Sequence, residues 1–313
     1  MDKLIEHIRD IYAPRDLGEL DYLLHSGGRR EYGFVNVFFY ANRSPLIIGK
    51  ISRGEDAIIQ KEIDNLIAVT ALLKSSPLKG TIENIVDTVH INEHYVLLKD
   101  FKKGVSAGKY LETKSRNEVR KLLENSVNWL IQFLNDTKNY HINLPDNKSK
   151  KAKEIFTEND IPQWYKSFVG NDKYFLAPSH GDFIISNILV KDGIISAVLD
   201  FENFTFEGFP IADLIGILVS VGTTLYGYTE KMIYRTFFEK NWFSKEIKVQ
   251  IRKFCENLDL DIEEFVFLMS IYSDRALSIS NKWKLQREYN FHKYLKESFL
   301  FNGENILKIL EGD

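Results

Sequence analysis

Residues 179–202 read SHGDFIISNILVKDGIISAVLDFE, and the fold is read outward from this stretch. His180 is followed two residues later by Asp182, five after that by Asn187, and thirteen further on by Asp200. Residues 188–190 and 194–199 are apolar runs of strand type. Lys191-Asp192-Gly193 between them has hairpin-turn chemistry, because glycine adopts positive φ without strain. A hairpin is expected to bring Asn187 and Asp200 to its open end, as two hard oxygen ligands. Magnesium prefers oxygen, keeps several waters, and needs only one or two protein ligands beside substrate phosphates. Asp182 lies in the short loop before Asn187. A carboxylate there can orient an attacking hydroxyl, or accept its proton weakly at an ordinary pKa of about 4. His180 suits a loop brace through a backbone hydrogen bond. Any one of these residues alone is equally at home in a plain turn.

Upstream, residues 33–39 (GFVNVFF) and 46–51 (LIIGKI) are strand-like, split by the turn cluster Asn42-Arg43-Ser44-Pro45. Residues 55–74 have helical periodicity, and Glu55 and Asp56 suit the start of a helix. Ser75-Ser76-Pro77 closes it. Short strands are expected at 85–91 and 95–99. Lys50 lies inside an apolar strand, where an unpaired ammonium is costly. Glu62, near the edge of the buried stripe of the following helix, is a partner of the right charge. An outward lysine and a solvated glutamate fit the same letters.

After residues 101–104, a plausible linker, the character changes. Residues 117–134 are strongly helical, residues 143–151 are polar and loop-like, and most of the chain beyond residue 211 is helical, including 262–280 and 289–310. The fold class expected is α+β, with a small β-rich N-terminal lobe (1–100) and a larger, mainly helical C-terminal lobe (101–313).

HGDFIISN at 180–187 resembles the His-x-Asp-x-x-x-x-Asn catalytic loop of the protein-kinase-like superfamily, and LDFE at 199–202 resembles its metal-binding aspartate motif. His-Gly-Asp, Asp-Phe-Glu and the following FEGFPIADLIGIL (206–218) are similar to the aminoglycoside phosphotransferase and choline kinase branch. The resemblance implies a bilobal protein-kinase-like fold with ATP and Mg²⁺ as cofactors. It implies Asp182 as the catalytic residue, Asn187 and Asp200 as metal ligands, and Lys50, held by Glu62, on the nucleotide phosphates. It implies that backbone groups near Leu98 and Asp100 meet the adenine edge, and that Asp213 is structural. Ser26-Gly27-Gly28-Arg29-Arg30 departs from a protein-kinase glycine loop. Its glycines permit close backbone approach to phosphate, and a plain turn with exposed arginines fits as well.

Only twelve residues separate Asp200 from Asp213, too few for a peptide-docking activation segment. The expected acceptor is the hydroxyl of a small molecule: a sugar, an aminoglycoside or an amino alcohol. A nucleotide-binding scaffold without turnover, and a true protein kinase, are the alternatives. The acidic residues 255–265 could attract a cationic substrate or simply start a helix around Asp261, Glu263 and Glu264. Trp242, Tyr272 and Trp283 could line a cation cage or fill a core. Forty-one basic against 44 acidic residues, net −3, exclude a binder that relies on a basic surface for nucleic acid. One cysteine, Cys255, rules out an internal disulfide. The absence of a long apolar run or a secretory pattern leads to the expectation of a cytoplasmic protein with no membrane partner.

Overall fold

The computed structural model describes residues 1–13, 17–26, 34–52, 56–137, 177–208, 210–259 and 284–311, together with isolated positions between 262 and 280. The architecture is α+β. Two compact units are present: residues 1–104 with 196–203, and residues 105–195 with 204–313.

The first unit is built on a five-stranded antiparallel sheet of order β1-β2-β3-β5-β4. Its strands are β1 (Leu20–Ser26), β2 (Phe34–Ala41), β3 (Ser44–Ser52), β4 (Ile85–Ile91) and β5 (His94–Asp100). Helix α1 (Asp2–Ile11) buries Leu4 and Ile8 against Val37, Phe39, Ile47, Val96 and Leu98. Helix α2 (Asp56–Leu72) lies between β3 and β4 in sequence and buries Ile59, Glu62, Ile63, Leu66 and Val69. The expected order strand, strand, helix, strand, strand is present as β2, β3, α2, β4 and β5.

The β2–β3 turn is tighter than the sequence suggests. Asn42 and Arg43 alone have positive φ, 49° and 64°. Two left-handed central residues make the turn whose twist matches a hairpin. Ser44 and Pro45 join β3, and Pro45 is tolerated because the register shifts there, beside Tyr40. Strand β1 and helix α1 were not expected. In β1, Tyr22, Leu23 and Leu24 are all exposed, so no alternating pattern marks it.

Strand alternation does the decisive positioning. Residues two apart share a face of a sheet. Ile47, Val96 and Leu98 face the α1 core, so Lys50 and Lys99 face the other way. Lys50 stands opposite Leu97, and Lys99 stands opposite Ile48. The two lysines are therefore diagonal neighbours on one face.

The second unit is mainly helical. Helix α3 (Ala107–Leu111) precedes α4 (Arg116–Thr137), which buries Leu122, Leu123, Trp129, Leu130 and Phe133 along one stripe. Short strands β6 (Val105–Ser106) and β8 (Ile188–Lys191) pair. Strands β7 (Ala177–Ser179) and β10 (Thr205–Gly208) form another pair. The turn after β8 is Asp192-Gly193, both with positive φ, 54° and 79°. From it β9 (Ile194–Val198) carries the chain to residues 196–203 of the first unit.

Helices α5 (Pro210–Tyr226), α6 (Glu230–Ile233), α7 (Trp242–Leu258) and α8 (Gln286–Glu311) follow. Helix α5, the most apolar of them, is buried along most of its length. Among the described residues no single helix is long and apolar enough to cross a membrane. The described positions between 262 and 280 are helical; Asp261, Glu263, Glu264 and Trp283 lie outside the described residues, as do residues 143–151.

His292 of α8 is buried beside Phe291 and Tyr272. Burial pulls its imidazole down to about 4. The folded protein thus binds a proton less readily than the unfolded chain, and stability falls as pH drops from about 6.5 toward 4. Between pH 7 and pH 4.5 this group is expected to remove about 2 kcal/mol. Urea unfolding of the wild type and His292→Gln at both pH values checks it. An equal pH dependence in the two proteins would contradict the assignment.

Candidate active site

The sequence-predicted residues fall into two sets, one in each unit. In the first unit Lys50 Nζ reaches Glu62 Oε2 at 2.5 Å, Asp200 Oδ1 at 3.0 Å and Glu202 Oε2 at 3.2 Å. Glu62 is fully buried, not at the edge of its stripe as the helical periodicity suggests. A second lysine explains how a carboxylate survives there. Lys99 Nζ reaches Glu62 Oε1 at 2.8 Å and Glu83 at 3.1 Å. Burial alone would raise the Glu62 carboxyl, but Lys99 and Lys50 outweigh it and hold it down to about 2. Its stabilising contribution is therefore present above the ordinary value near 4.5 and is lost as pH falls through about 2. Burial also works against both ammonium groups. Glu62 with Asp200 holds Lys50 above its usual value, and Glu62 with Glu83 does the same for Lys99.

Residues 200–203 are tied to this cluster by their backbone. The Asp200 N–H donates to Glu83 Oε2 at 3.2 Å. Asn65 Nδ2 on α2 donates to the carbonyls of Phe201, at 2.8 Å, and Glu202, at 3.2 Å. Asp200 itself has φ 67°. That left-handed backbone is uncommon for a residue other than glycine, with Asp and Asn the usual exceptions. Two lysines thus face four carboxylates. The excess negative charge shows at Glu202, whose carboxyl is raised by burial and then by Asp200. Oxygens of Glu62, Asp200 and Glu202 lie within 4.8 Å of one another. The Lys50 ammonium already bonds all three, and both Glu62 oxygens are spent on lysines, so only the partly exposed Asp200 and Glu202 carboxylates fit a divalent cation such as magnesium.

In the second unit the loop 179–187 is pinned from several sides. Asp213, on the first turn of α5, accepts from Ser179 Oγ at 2.8 Å, the His180 N–H at 2.7 Å and the Gly181 N–H at 2.9 Å. Burial raises its carboxyl against the pull of these donors and of His180. His180 is fully buried, and its Nδ1 accepts the Asp182 N–H at 3.2 Å, so the imidazole braces the loop. The Phe183 ring stacks on Trp129 of α4, with centroids 5.1 Å apart. Gly216 lets α5 approach the loop, since a Cβ there would lie 3.0 Å from the Phe183 carbonyl oxygen. Asn187 closes the loop, its Nδ2 donating to the Asp182 carbonyl at 3.0 Å and to Asp182 Oδ2 at 2.9 Å. Spending the amide on Asp182 turns the Asn187 carbonyl oxygen to other work. Ser186 Oγ approaches it at 3.3 Å.

Leu98 and Asp100 lie on β5, the strand between β3 and β4. Leu98 has Gly49 of β3 on one side and Asp87 of β4 on the other. The Asp100 N–H donates to the Asn84 carbonyl at 3.0 Å, and its carboxylate receives the Asn84 N–H and side-chain amide, both at 2.7 Å, and Lys102 at 3.0 Å. Gly27, Gly28, Arg29 and Arg30 lie outside the described residues. Trp242 is already occupied by the protein's own cations: the guanidinium groups of Arg116 and Arg120 lie 5.6 and 5.9 Å from its ring centre.

Lys99, Glu83, Asn65 and Glu202 are the site residues that motif reasoning missed. A lysine in an apolar strand was the available signal for Lys99, as it was for Lys50.

No protein-family model and no curated protein sequence matches the chain. Among solved structures it is similar to an aminoglycoside phosphotransferase from Streptomyces rimosus in complex with ADP and streptomycin, at 12% identity and TM-score 0.48, covering 95% of this chain and 99% of that one. An aminoglycoside-3'-phosphotransferase of type VIII is similar at 11% identity and TM-score 0.48, over 95% and 98% of the two chains. The streptomycin–ATP ternary complex of APH(2")-IIa is similar at 15% identity and TM-score 0.42, over 80% and 88%.

Proposed function

We propose that this protein is an ATP-dependent phosphotransferase that moves the γ-phosphate to a hydroxyl of a small molecule: a sugar, an aminoglycoside or an amino alcohol. The observation that carries the reading is a buried lysine, Lys50, held by a buried glutamate and in contact with the aspartate of the LDFE motif. A structural lysine has no need of three carboxylates, whereas a lysine meant for phosphate oxygens needs its charge secured in advance.

In this reading Lys50 binds nucleotide phosphates, and Glu62 keeps it charged and aimed. Asp200 and Asn187 would supply oxygen ligands for Mg²⁺, which would neutralise charge on the phosphates. Asp182 holds the acceptor hydroxyl in line with the γ-phosphorus, and its orientation is set by Asn187 and His180. An adenine edge was expected at backbone groups near Leu98 and Asp100; since Asn84 takes the Asp100 N–H, that contact is left to backbone groups other than this one. A small acceptor is favoured because the residues after Asp200 are used in structure. Residues 201–203 form a helical turn, and β10 pairs with β7.

The test is nucleotide turnover with a panel of sugars, amino sugars, aminoglycosides and amino alcohols, with and without magnesium. Turnover with at least one alcohol, abolished by chelation, is the expected result. Nucleotide binding without turnover on any acceptor would favour a scaffold. Label passing from ATP into protein in a whole-cell extract would favour a protein kinase.

A further inference from the structure

We propose that Lys99 is a positioning residue for Asp200 and Lys50, acting through Glu83 and Glu62. The inference rests on the phosphotransfer function above and extends it to residues outside its motifs.

The side chains form a closed circuit. Lys50 bonds Glu62, Glu62 bonds Lys99, Lys99 bonds Glu83, Glu83 accepts the Asp200 N–H, and Asp200 Oδ1 returns to Lys50. Lys99 is the member that touches neither Asp200 nor any group assigned to substrate. Lys99 is nevertheless buried, 5% exposed, with its ammonium between the buried carboxylates of Glu62 and Glu83. Two consequences follow from that placement.

The first concerns Lys50. Lys99 takes one Glu62 oxygen and leaves the other to Lys50. Without Lys99, both oxygens compete for Lys50 and draw it away from Asp200 and Glu202. The second concerns Asp200. Its left-handed backbone is held by an N–H bond to Glu83, and the buried Glu83 carboxylate is itself fixed by Lys99 at 3.1 Å. Removing Lys99 strands Glu83, and the geometry of the metal-ligand candidate relaxes with it. Lys99 therefore supports the ligand set from behind, as outer partners do in metal sites.

The test compares wild type, Lys99→Met, Glu83→Ala and Glu83→Gln. Mn²⁺–ATP binding is followed by loss of the free-Mn²⁺ paramagnetic resonance signal, alongside the Mg²⁺ concentration for half-maximal turnover and the acceptor KM. Urea unfolding reports stability separately. Lys99→Met is expected to weaken Mn²⁺–ATP binding and raise the Mg²⁺ requirement by about 10- to 100-fold, with acceptor KM unchanged within about twofold. Glu83→Ala leaves Lys99 neutralised by Glu62 but strips the acceptor from the Asp200 N–H, and is expected to show the same defect. Glu83→Gln retains a carbonyl for that N–H and is expected to restore most of the affinity.

A purely structural Lys99 would lower stability while the folded protein kept wild-type Mn²⁺–ATP affinity, and that result overturns the proposal. If Lys99→Met does not fold, Glu83→Ala decides, and wild-type affinity there overturns it equally. Mn²⁺–ATP binding by the wild type without transfer to any acceptor would overturn the proposed function but leave the comparison of variants intact. No binding by the wild type would overturn both.

Discussion

Asp182→Asn is expected to lower phosphotransfer by roughly 100- to 10,000-fold while leaving the fold and nucleotide binding intact. The asparagine has the same shape and still offers an oxygen to Asn187 Nδ2, which bonds the aspartate at 2.9 Å. The backbone contacts, the Asp182 carbonyl to Asn187 Nδ2 and the Asp182 N–H to His180 Nδ1, do not involve the side chain. What is lost is the negative charge that orients and accepts from the hydroxyl. The defect should therefore fall on kcat, with nucleotide affinity and the urea midpoint close to wild type. A variant that kept full turnover on the true acceptor would remove Asp182 from the mechanism.

The largest stability effect is expected at Asp213. Its two oxygens accept from three groups, Ser179 Oγ and the N–H groups of His180 and Gly181, all in or next to the loop that carries Asp182. Asp213→Ala leaves these donors without that acceptor, each at a cost of about 1–3 kcal/mol when buried. A loss of roughly 3–5 kcal/mol in urea unfolding is expected, a large part of the stability of an ordinary domain. Asp213→Asn should be intermediate, because an amide offers one acceptor oxygen to three donors. The surroundings leave little room to adjust. A Cβ added at Gly208 would lie 2.2 Å from the Ser179 Cβ, so Ser179 cannot shift toward β10. A change below about 1 kcal/mol in Asp213→Ala would show that the loop is held by its packing on Trp129 and α5 instead.

Some of these features were legible in the letters and others were not. The Asp192-Gly193 turn is readable because few dipeptides accept two left-handed residues in a row. The α2 stripe is readable from spacing, since helical side chains repeat every three to four residues. Strand β1 was missed because Tyr22, Leu23 and Leu24 in succession are exposed and carry no alternation. Leu98 and Asp100 were expected to present free backbone to a nucleotide. Whether an N–H is free depends on the next strand, and Asn84 takes that of Asp100.

The sequence by itself determined the Asp192-Gly193 hairpin turn, and it marked Lys50, Glu62, Asp182, Asn187 and Asp200 as candidates. The turn is a property of neighbours along the chain, where local backbone preference decides. Only the tertiary structure decided that Glu62 is wholly buried and that Lys99 and Glu83 complete its charge balance. Glu83 and Asp200 are 117 residues apart, and Lys99 and Glu62 are 37 apart. Such partners meet because β5 is inserted between β3 and β4 in a fixed register, and strand order is not written in the spacing of any one segment.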